Sequence, residues 1–151
     1  MNHRRIFIAQ VSALLVVGPA CVLAEETGPL VRVYKSPTCN CCKKWIRHLQ
    51  DAGFRVEATD VSDIGAYKIE YGVPRALGSC HTAIVDGYVV EGHVPADNVI
   101  KMLRQKPEII GIAAPGMPMG SPGMEGPNAE AYDVIAFDAD GKTSVFDTHT
   151  P

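Results

Sequence analysis

The sequence lacks an excess of positive charge, an internal repeat, and any long apolar run beyond its first two dozen residues. Its 14 lysines and arginines are outnumbered by 17 aspartates and glutamates, which gives a formal net charge of −3. Without a basic stripe, nucleic acid is not an expected partner. Without a second apolar run, the rest of the chain offers no candidate membrane span. The 151 residues, 46% of them hydrophobic, suit one compact domain with a core.

The apolar run near the start predicts a removable signal peptide over residues 1–24. A basic start at residues 3–5 precedes an almost wholly apolar stretch over 6–23, which closes on the small-residue pattern Val22-Leu23-Ala24. An internal proline and this cleavage pattern argue against a retained membrane anchor. The residues before Cys21 are a poor lead-in for a lipoprotein signal. We therefore expect an exported chain without stable membrane insertion.

Cleavage after Ala24 makes Glu25 the first mature residue and changes the charge and the cysteine count. Two arginines leave and no acid does, so 12 basic residues oppose 17 acidic ones, a net charge of −5. Cys21 leaves too, and four cysteines remain. In an oxidising compartment, four cysteines ordinarily suggest two disulfides. Adjacent Cys41 and Cys42 can hardly bond each other without strain, however, so a two-bridge scheme is awkward.

Hydrophobic periodicity predicts alternating strands and helices, a pattern that favours an α/β fold. Each boundary has a local signal, such as Gly53 after a helix or an Asp-Gly pair in a hairpin. The predicted elements are a strand at 30–34, a helix from Cys41 to about Gly53, a strand at 54–61, a helix at 62–71 capped by Ser62 or Asp63, a hairpin at 81–92 turning at Asp86-Gly87, and a helix at 95–106 with a buried stripe of Val99, Ile100 and Leu103.

The last 41 residues show a different pattern. Residues 111–129 are rich in proline, glycine and methionine, and they predict a loop too irregular for helix or strand. Residues 131–147 predict a hairpin that turns at Asp140-Gly141. The predicted organisation is a signal peptide at 1–24, an α/β domain at 25–110, a Pro/Gly/Met-rich loop at 111–129, and a C-terminal hairpin and tail at 130–151.

Three of the mature cysteines lie within four positions, where the first helix begins. Cys39 and Cys42 have the C-x-x-C spacing of a redox dithiol. The helix N-terminus, with Lys43 and Lys44, favours their thiolate forms. Cys41 is a third sulfur that such a pair does not need. Cys41 and Cys42 should point about 100° apart on the helix, too far apart to share one small site comfortably.

The fourth mature sulfur is Cys80, immediately before the predicted hairpin. Taken alone it could be a buried, inert cysteine. Together with the other three it predicts a four-sulfur patch, if the fold brings them together. Thiolates select Cu(I), Zn(II) or iron–sulfur clusters, and C-x-C-C is not a usual zinc spacing.

Methionines and histidines supply further candidate ligands. Met117, Met119 and Met124 lie in the Pro/Gly-rich segment; thioethers favour Cu(I), although these side chains could equally fill gaps in a core. His81 follows Cys80 on a strand, so its side chain should face the opposite way unless the strand start is bent. His93 could approach the cysteines from the end of the hairpin. We expect His48 to be solvated, and nothing in the sequence places His149.

Three motifs together resemble those of the CopG-type periplasmic copper-resistance proteins, a thioredoxin-like family long catalogued as a domain of unknown function. They are YKSPTCNCCKKW, SCHTAIVDGYVVEGHVP and PGMPMGSPGMEG, and the resemblance spans about residues 30–127. It implies a thioredoxin-like α/β domain, in which the loop before the third strand faces the first cysteines and carries Cys80 where thioredoxins have a cis-proline.

The resemblance also implies a function and a ligand set. It implies a periplasmic copper-resistance protein of Gram-negative bacteria that holds more than one Cu(I) ion and exchanges electrons with copper, beside other copper-handling proteins. The implied copper ligands are Cys39, Cys41, Cys42 and Cys80, with His81, His93, Met117, Met119 and Met124 as secondary candidates.

Two other classes of function stay open on the sequence alone. One is an enzyme, either a thiol–disulfide oxidoreductase that uses Cys39 and Cys42 or a protein that cycles the redox state of copper. The other is a zinc-stabilised interaction domain, which only the cysteines support. The third cysteine, Cys80 and the methionines favour copper over both.

The signal-peptide prediction is tested by the start of the exported protein. Intact mass or Edman sequencing of exported material should show a first residue at or near Glu25, because the run before it has the charge, length and small-residue end of a cleaved signal. An exported chain that kept Arg4 and Arg5 at the membrane would contradict it.

Overall fold

A computed structural model describes residues 27–151; the predicted signal peptide, Cys21 and Glu25 lie outside these residues. The chain is of the α/β class, as predicted. Its elements are β1 Leu30–Lys35, α1 Asn40–Asp51, β2 Arg55–Asp60, α2 Ile64–Glu70, a 3₁₀ turn Arg75–Leu77, β3 His81–Val85, β4 Tyr88–Gly92, α3 Ala96–Gln105, β5 Gly111–Ala114, β6 Tyr132–Phe137 and β7 Thr143–His149. Within this part of the chain, every helix is too short or too polar to cross a membrane.

All seven strands form one sheet in the order β2-β1-β3-β4-β5-β6-β7. β1 pairs with β2 in parallel, and β4 pairs with β5 in parallel. The other neighbours, β1 with β3, β3 with β4, β5 with β6 and β6 with β7, are antiparallel. The predicted order β-α-β-α-β-β-α is therefore present through α3. Its assignment as thioredoxin-like stays a prediction.

Local sequence signals explain most of the boundaries. Asp63 caps α2, since its carboxylate accepts a hydrogen bond from the Ala66 N–H at 3.2 Å. The β3–β4 hairpin turns at Asp86 and Gly87, which both have positive φ, as a two-residue turn of this kind requires. Both features were predicted.

The irregular loop predicted for 111–129 is wrong for its first four residues. Gly111–Ala114 form β5, which pairs with β4 on one side and β6 on the other and is buried throughout. Gly111 is needed there because a Cβ would lie 2.1 Å from the Val89 carbonyl oxygen. Residues 115–131 contain neither helix nor strand, and the predicted C-terminal hairpin is present as β6 and β7.

The main hydrophobic core lies between the sheet and the pair of helices α1 and α3. Trp45 and Leu49 of α1 and Val99 and Met102 of α3 are wholly buried in it. The Trp45 indole N–H donates to the Val94 carbonyl at 2.8 Å, which satisfies its one polar group. Ile100 and Leu103, predicted to share the buried stripe of α3, are only partly buried against this core.

The other face of the sheet carries a buried ionic network around Glu91. This carboxylate is wholly buried and forms an ion pair with Lys68 of α2. It also accepts hydrogen bonds from the Thr82 hydroxyl at 2.7 Å and from the backbone N–H of Ser79. Because Ser79 immediately precedes Cys80, the network fixes the approach to β3.

Removing this carboxylate should destabilise the fold strongly. Glu91→Ala leaves the Lys68 ammonium, the Thr82 hydroxyl and the Ser79 N–H without their acceptor, and we expect a loss of about 3 kcal/mol in the free energy of unfolding. Glu57→Ala is the control, because the Glu57–Arg32 pair is exposed and its atoms are 4.0 Å apart; it should change stability by less than about 0.5 kcal/mol. Urea unfolding measures both, and equal effects would show that the buried network contributes little.

Candidate metal centre

The candidate ligands lie at one edge of the sheet, where β1 ends and β3 begins. Lys35, the last residue of β1, pairs with His81, the first residue of β3. The segment after β1 carries three cysteines into α1, and Cys80 directly precedes β3. β4 ends at the same edge, one residue before His93.

Cys39 and Cys42 form a disulfide at the start of α1, with their Cα atoms 5.4 Å apart. Cys39 is the N-cap residue, and its sulfur accepts a hydrogen bond from the Cys42 N–H at 3.3 Å. Cys42 is wholly buried, whereas Cys39 is partly exposed. The predicted C-x-x-C pair is therefore held at a helix N-terminus with only its first sulfur accessible.

Cys41 and Cys80 are free thiols and complete a four-sulfur cluster. The Sγ atoms of Cys39 and Cys41 are 3.5 Å apart, and so are those of Cys42 and Cys80. All four Sγ atoms lie within 4.8 Å of one another. Cys41 and Cys42 thus belong to one group of sulfurs, in which Cys39 contacts Cys41 and Cys80 contacts Cys42. The expectation that these two side chains diverge too far to share one small site stays a prediction.

His81 also lies on the same side as Cys80, and the expectation of opposite faces is wrong. The Sγ of Cys80 is 3.3 Å from Nδ1 of His81. Alternation along a strand does not apply, because β3 begins only at His81 and Cys80 belongs to the preceding turn. The His81 ring is wholly buried and packs on Trp45, with ring centroids 4.2 Å apart.

His93 reaches the cluster from the end of β4, with Nε2 at 3.0 Å from the Cys80 Sγ. Its other ring nitrogen, Nδ1, lies 2.7 Å from the Pro122 carbonyl oxygen. A carbonyl can only accept, so Nδ1 carries the proton and Nε2 presents its lone pair to Cys80. Such an outer hydrogen bond is how metal-binding histidines are usually oriented.

The Pro122 carbonyl is held in place because the next residue, Gly123, packs closely against α1 and His93. A Cβ at this glycine, which has a φ of +89°, would lie 2.8 Å from the Cys41 carbonyl oxygen and 3.3 Å from Nδ1 of His93. The Gly123 N–H donates to the Glu125 carboxylate at 2.7 Å. The Pro/Gly-rich loop therefore covers the first turn of α1 and His93 by its backbone.

Burial sets the protonation states of the three groups around Cys80. It raises the pKa of the Cys80 thiol to about 12, with help from the neighbouring Cys41. It lowers the pKa of His81 well below its usual value, helped by His93 and Lys68, and it lowers the pKa of His93. Near neutral pH both imidazoles are therefore neutral, the form in which histidine binds metals.

The three methionines of the Pro/Gly/Met-rich loop differ in their exposure to solvent. Met117 is exposed and has a positive φ, while Met119 and Met124 are partly buried. Among the described residues, no hydrogen bond joins a methionine sulfur to the cysteine cluster, and the loop reaches the site through Pro122 and Gly123. A ligand role for the three methionines stays a prediction.

Two further histidines serve the fold. His48 is not simply solvated, as expected from sequence, because its Nε2 accepts the Ala96 N–H at the start of α3 at 3.0 Å. His149 lies in β7, stacked on Tyr132, and bonds to the Asn98 amide oxygen at 2.7 Å. Neither belongs to the two groups of donor atoms at the site.

The donor set fits a soft metal ion. Four sulfurs and two neutral imidazole nitrogens converge, and no carboxylate belongs to either group of donor atoms found in the described residues. Sequence reasoning found all six donors but missed Glu91, Pro122 and Gly123. Only Glu91, an acid inside an apolar hairpin, had a visible signal.

Comparisons with known proteins agree with these motifs. A family model described as "Protein of unknown function, DUF411" matches residues 77–124. No curated protein matches the chain. Two solved structures titled "Copper resistance protein copG", Form 2 and Form 1, are each 43% identical to it, with TM-scores of 0.77 and 0.76. In each comparison the match covers 81% of this chain and 98% of the other, so the chain belongs to the CopG copper resistance protein family.

Proposed function

We propose that this protein serves copper resistance in the periplasm by holding several Cu(I) ions in a cluster bridged by cysteine thiolates. The ligands are Cys39, Cys41, Cys42 and Cys80. The observation that carries the proposal is the mutual approach of four Sγ atoms to within 4.8 Å, at a helix N-terminus and under a covering loop.

Several ions suit this arrangement better than one. A thiolate has lone pairs enough to bridge two soft ions, and Cu(I) accepts two or three sulfur ligands without demanding a tetrahedron. The helix N-terminus, Lys43 and Lys44 offset the negative charge of the thiolates. The covering loop and the burial of Cys42 limit access of water and oxidants.

Loading all four sulfurs requires reduction of the Cys39–Cys42 bond. Two electrons from a dithiol reductant break the sulfur–sulfur bond, and copper takes the two thiolates in place of protons. The disulfide and four-thiolate forms are thus two states of one site.

The same disulfide supports a second candidate function, a thiol or copper oxidoreductase. A dithiol at Cys39 and Cys42 can give one electron to each of two Cu(II) ions, which yields two Cu(I) ions, the disulfide and two protons. Reduction of insulin by the reduced, metal-free protein tests the thiol-exchange version. The partly exposed Cys39 is its attacking sulfur, because Cys42 is wholly buried.

The four-sulfur cluster predicts that no cysteine is dispensable. Cys41→Ser and Cys80→Ser should each lower the number of Cu(I) ions bound, because serine replaces a bridging thiolate by a poorly ionised hydroxyl of similar size. Met117→Leu is the matched control, because this side chain is exposed; it should lower the number of bound Cu(I) ions less than either serine variant. Copper per protein is counted after anaerobic loading of the reduced chains and desalting. Wild-type copper numbers in both serine variants would overturn the cluster and favour the dithiol enzyme.

The cluster also predicts preference for copper over zinc. Reduced protein offered equimolar Cu(I) and Zn(II) should retain copper, because thiolates bridge Cu(I) readily while zinc wants four convergent ligands around one ion. Metal analysis after desalting measures the ratio. Preferential zinc retention would support the zinc-stabilised domain instead.

A further inference from the structure

A hollow of about 500 Å³ lies between α2 and the 3₁₀ turn that follows it, and we call it the α2 hollow. Its lining combines the apolar side chains of Ile69, Val73 and Pro74 with two cations, Lys68 and Arg75. No acid is among the seven described residues that line it. In a chain whose formal net charge is −3, this surface is therefore locally apolar and positive.

One of the two cations is free to pair with a group from outside. The Lys68 ammonium is already bonded to the buried Glu91 carboxylate and lies 3.1 Å from the Thr82 hydroxyl. Arg75 is exposed and forms no ion pair within the described part of the chain. A guanidinium presents a fork of N–H donors that matches a carboxylate. The α2 hollow therefore favours an acidic group over a basic one.

The apolar part of the α2 hollow extends beyond its interior. Ile69 lines it and is nevertheless 83% exposed, more than the other two exposed large hydrophobics of residues 27–151, Val145 and Met117. A small molecule inside the hollow would leave most of this side chain in water. A protein surface covers the interior and the exposed isoleucine together, which favours a protein as the occupant.

We propose that the α2 hollow is a docking surface for a partner protein, which places an apolar side chain against Ile69 and Val73 and pairs a neighbouring aspartate or glutamate with Arg75. The apolar contact supplies affinity, and the ion pair selects and orients the partner. The proposal goes beyond copper binding and does not rest on it.

The docking surface adjoins the chain that leads to Cys80. Gly78 lines the α2 hollow, and Ser79 and Cys80 follow it directly. A Cβ at Gly78 would lie 3.8 Å from Cδ of Lys68, so the lysine stem packs on this chain. Its ammonium holds Glu91, which in turn accepts the Ser79 N–H. A docked partner therefore lies beside the edge of the sheet that carries the candidate metal centre.

A simply solvated surface is the competing account, because single exposed apolar side chains and arginines are common. The two accounts differ in the sign of the charge that binds. The overall field of an acidic protein attracts basic peptides more than acidic ones. Preference for an acidic peptide must then come from a local feature such as Arg75 beside its apolar neighbours.

The test titrates the isotope-labelled exported protein, metal-free and in its disulfide form, with short capped peptides and follows the amide signals by NMR. The probes are Glu-Leu-Leu-Glu, its charge reversal Lys-Leu-Leu-Lys, and Glu-Ser-Ser-Glu, which lacks the apolar side chains. The first should move the signals of Ile69, Val73, Arg75 and Ser79, and should bind at least about five-fold more tightly than the other two. Tighter binding of the basic peptide, or no shift at these residues, would overturn the proposal.

Two pairs of variants locate the contact. Ile69→Ala and Arg75→Gln should each weaken binding of the acidic, leucine-containing peptide by about three-fold or more, with little change in urea unfolding, because both side chains are exposed. Val145→Ala and Arg32→Gln are the matched controls, an exposed apolar residue and an exposed arginine outside the α2 hollow. Equal weakening by the controls would overturn the site. Self-association that Ile69→Ala abolishes would overturn the separate partner in favour of a second copy of the chain.

Discussion

The antiparallel pairing of β1 with β3 is the constraint on which the site depends. Its register sets Lys35 opposite His81, so the chain leaving β1 and the chain entering β3 meet at one edge. β4 returns antiparallel to β3 and ends at that edge, and β5 runs parallel to β4. Strand direction therefore brings four parts of the chain to the same edge: the cysteines after β1, the Cys80 turn, His93 and the loop after β5. A shift of this register by one residue would turn the His81 side chain to the other face.

Contacts on both faces of the sheet hold the chain in place at this edge. On one face, Trp45 and the buried part of α1 place the cysteine turn against the sheet. On the other face, Glu91 fixes the Ser79 backbone and thus the approach to Cys80. Glu91 is the next-to-last residue of β4, and His93 follows directly after the strand. The same short strand therefore positions Cys80, through Glu91 and Ser79, and His93. Packing and ionic contacts outside the site therefore set where its sulfur atoms lie.

Much of this could be predicted because the signals are local. The Asp86-Gly87 turn, the Asp63 cap and the amphipathic α1 follow from neighbouring residues, and the six donor side chains are recognisable by type. The failures concern non-local information. Gly111–Ala114 has no alternation and only four residues, and becomes a strand because β4 and β6 bond to it from both sides. His48 appeared solvated because its acceptor role depends on α3, 48 residues further along the chain. The Gly123 contact with α1 likewise depends on packing that no spacing reveals.

The position of Cys80 just before β3 explains how one sulfur contacts groups on two sides of the site. The side chain of a residue inside β3 would point to one face of the sheet only, either toward α1 or away from it. Cys80 lies just outside the strand, and its sulfur contacts Cys42 on one side and two histidines on the other. In this structure Cys39 and Cys42 share their sulfurs in a disulfide, whereas Cys80 is a free thiol. Burial raises the pKa of the Cys80 thiol to about 12, so the thiol is protonated near neutral pH. The turn before β3 is therefore the element that lets one sulfur lie against both the start of α1 and the two histidines.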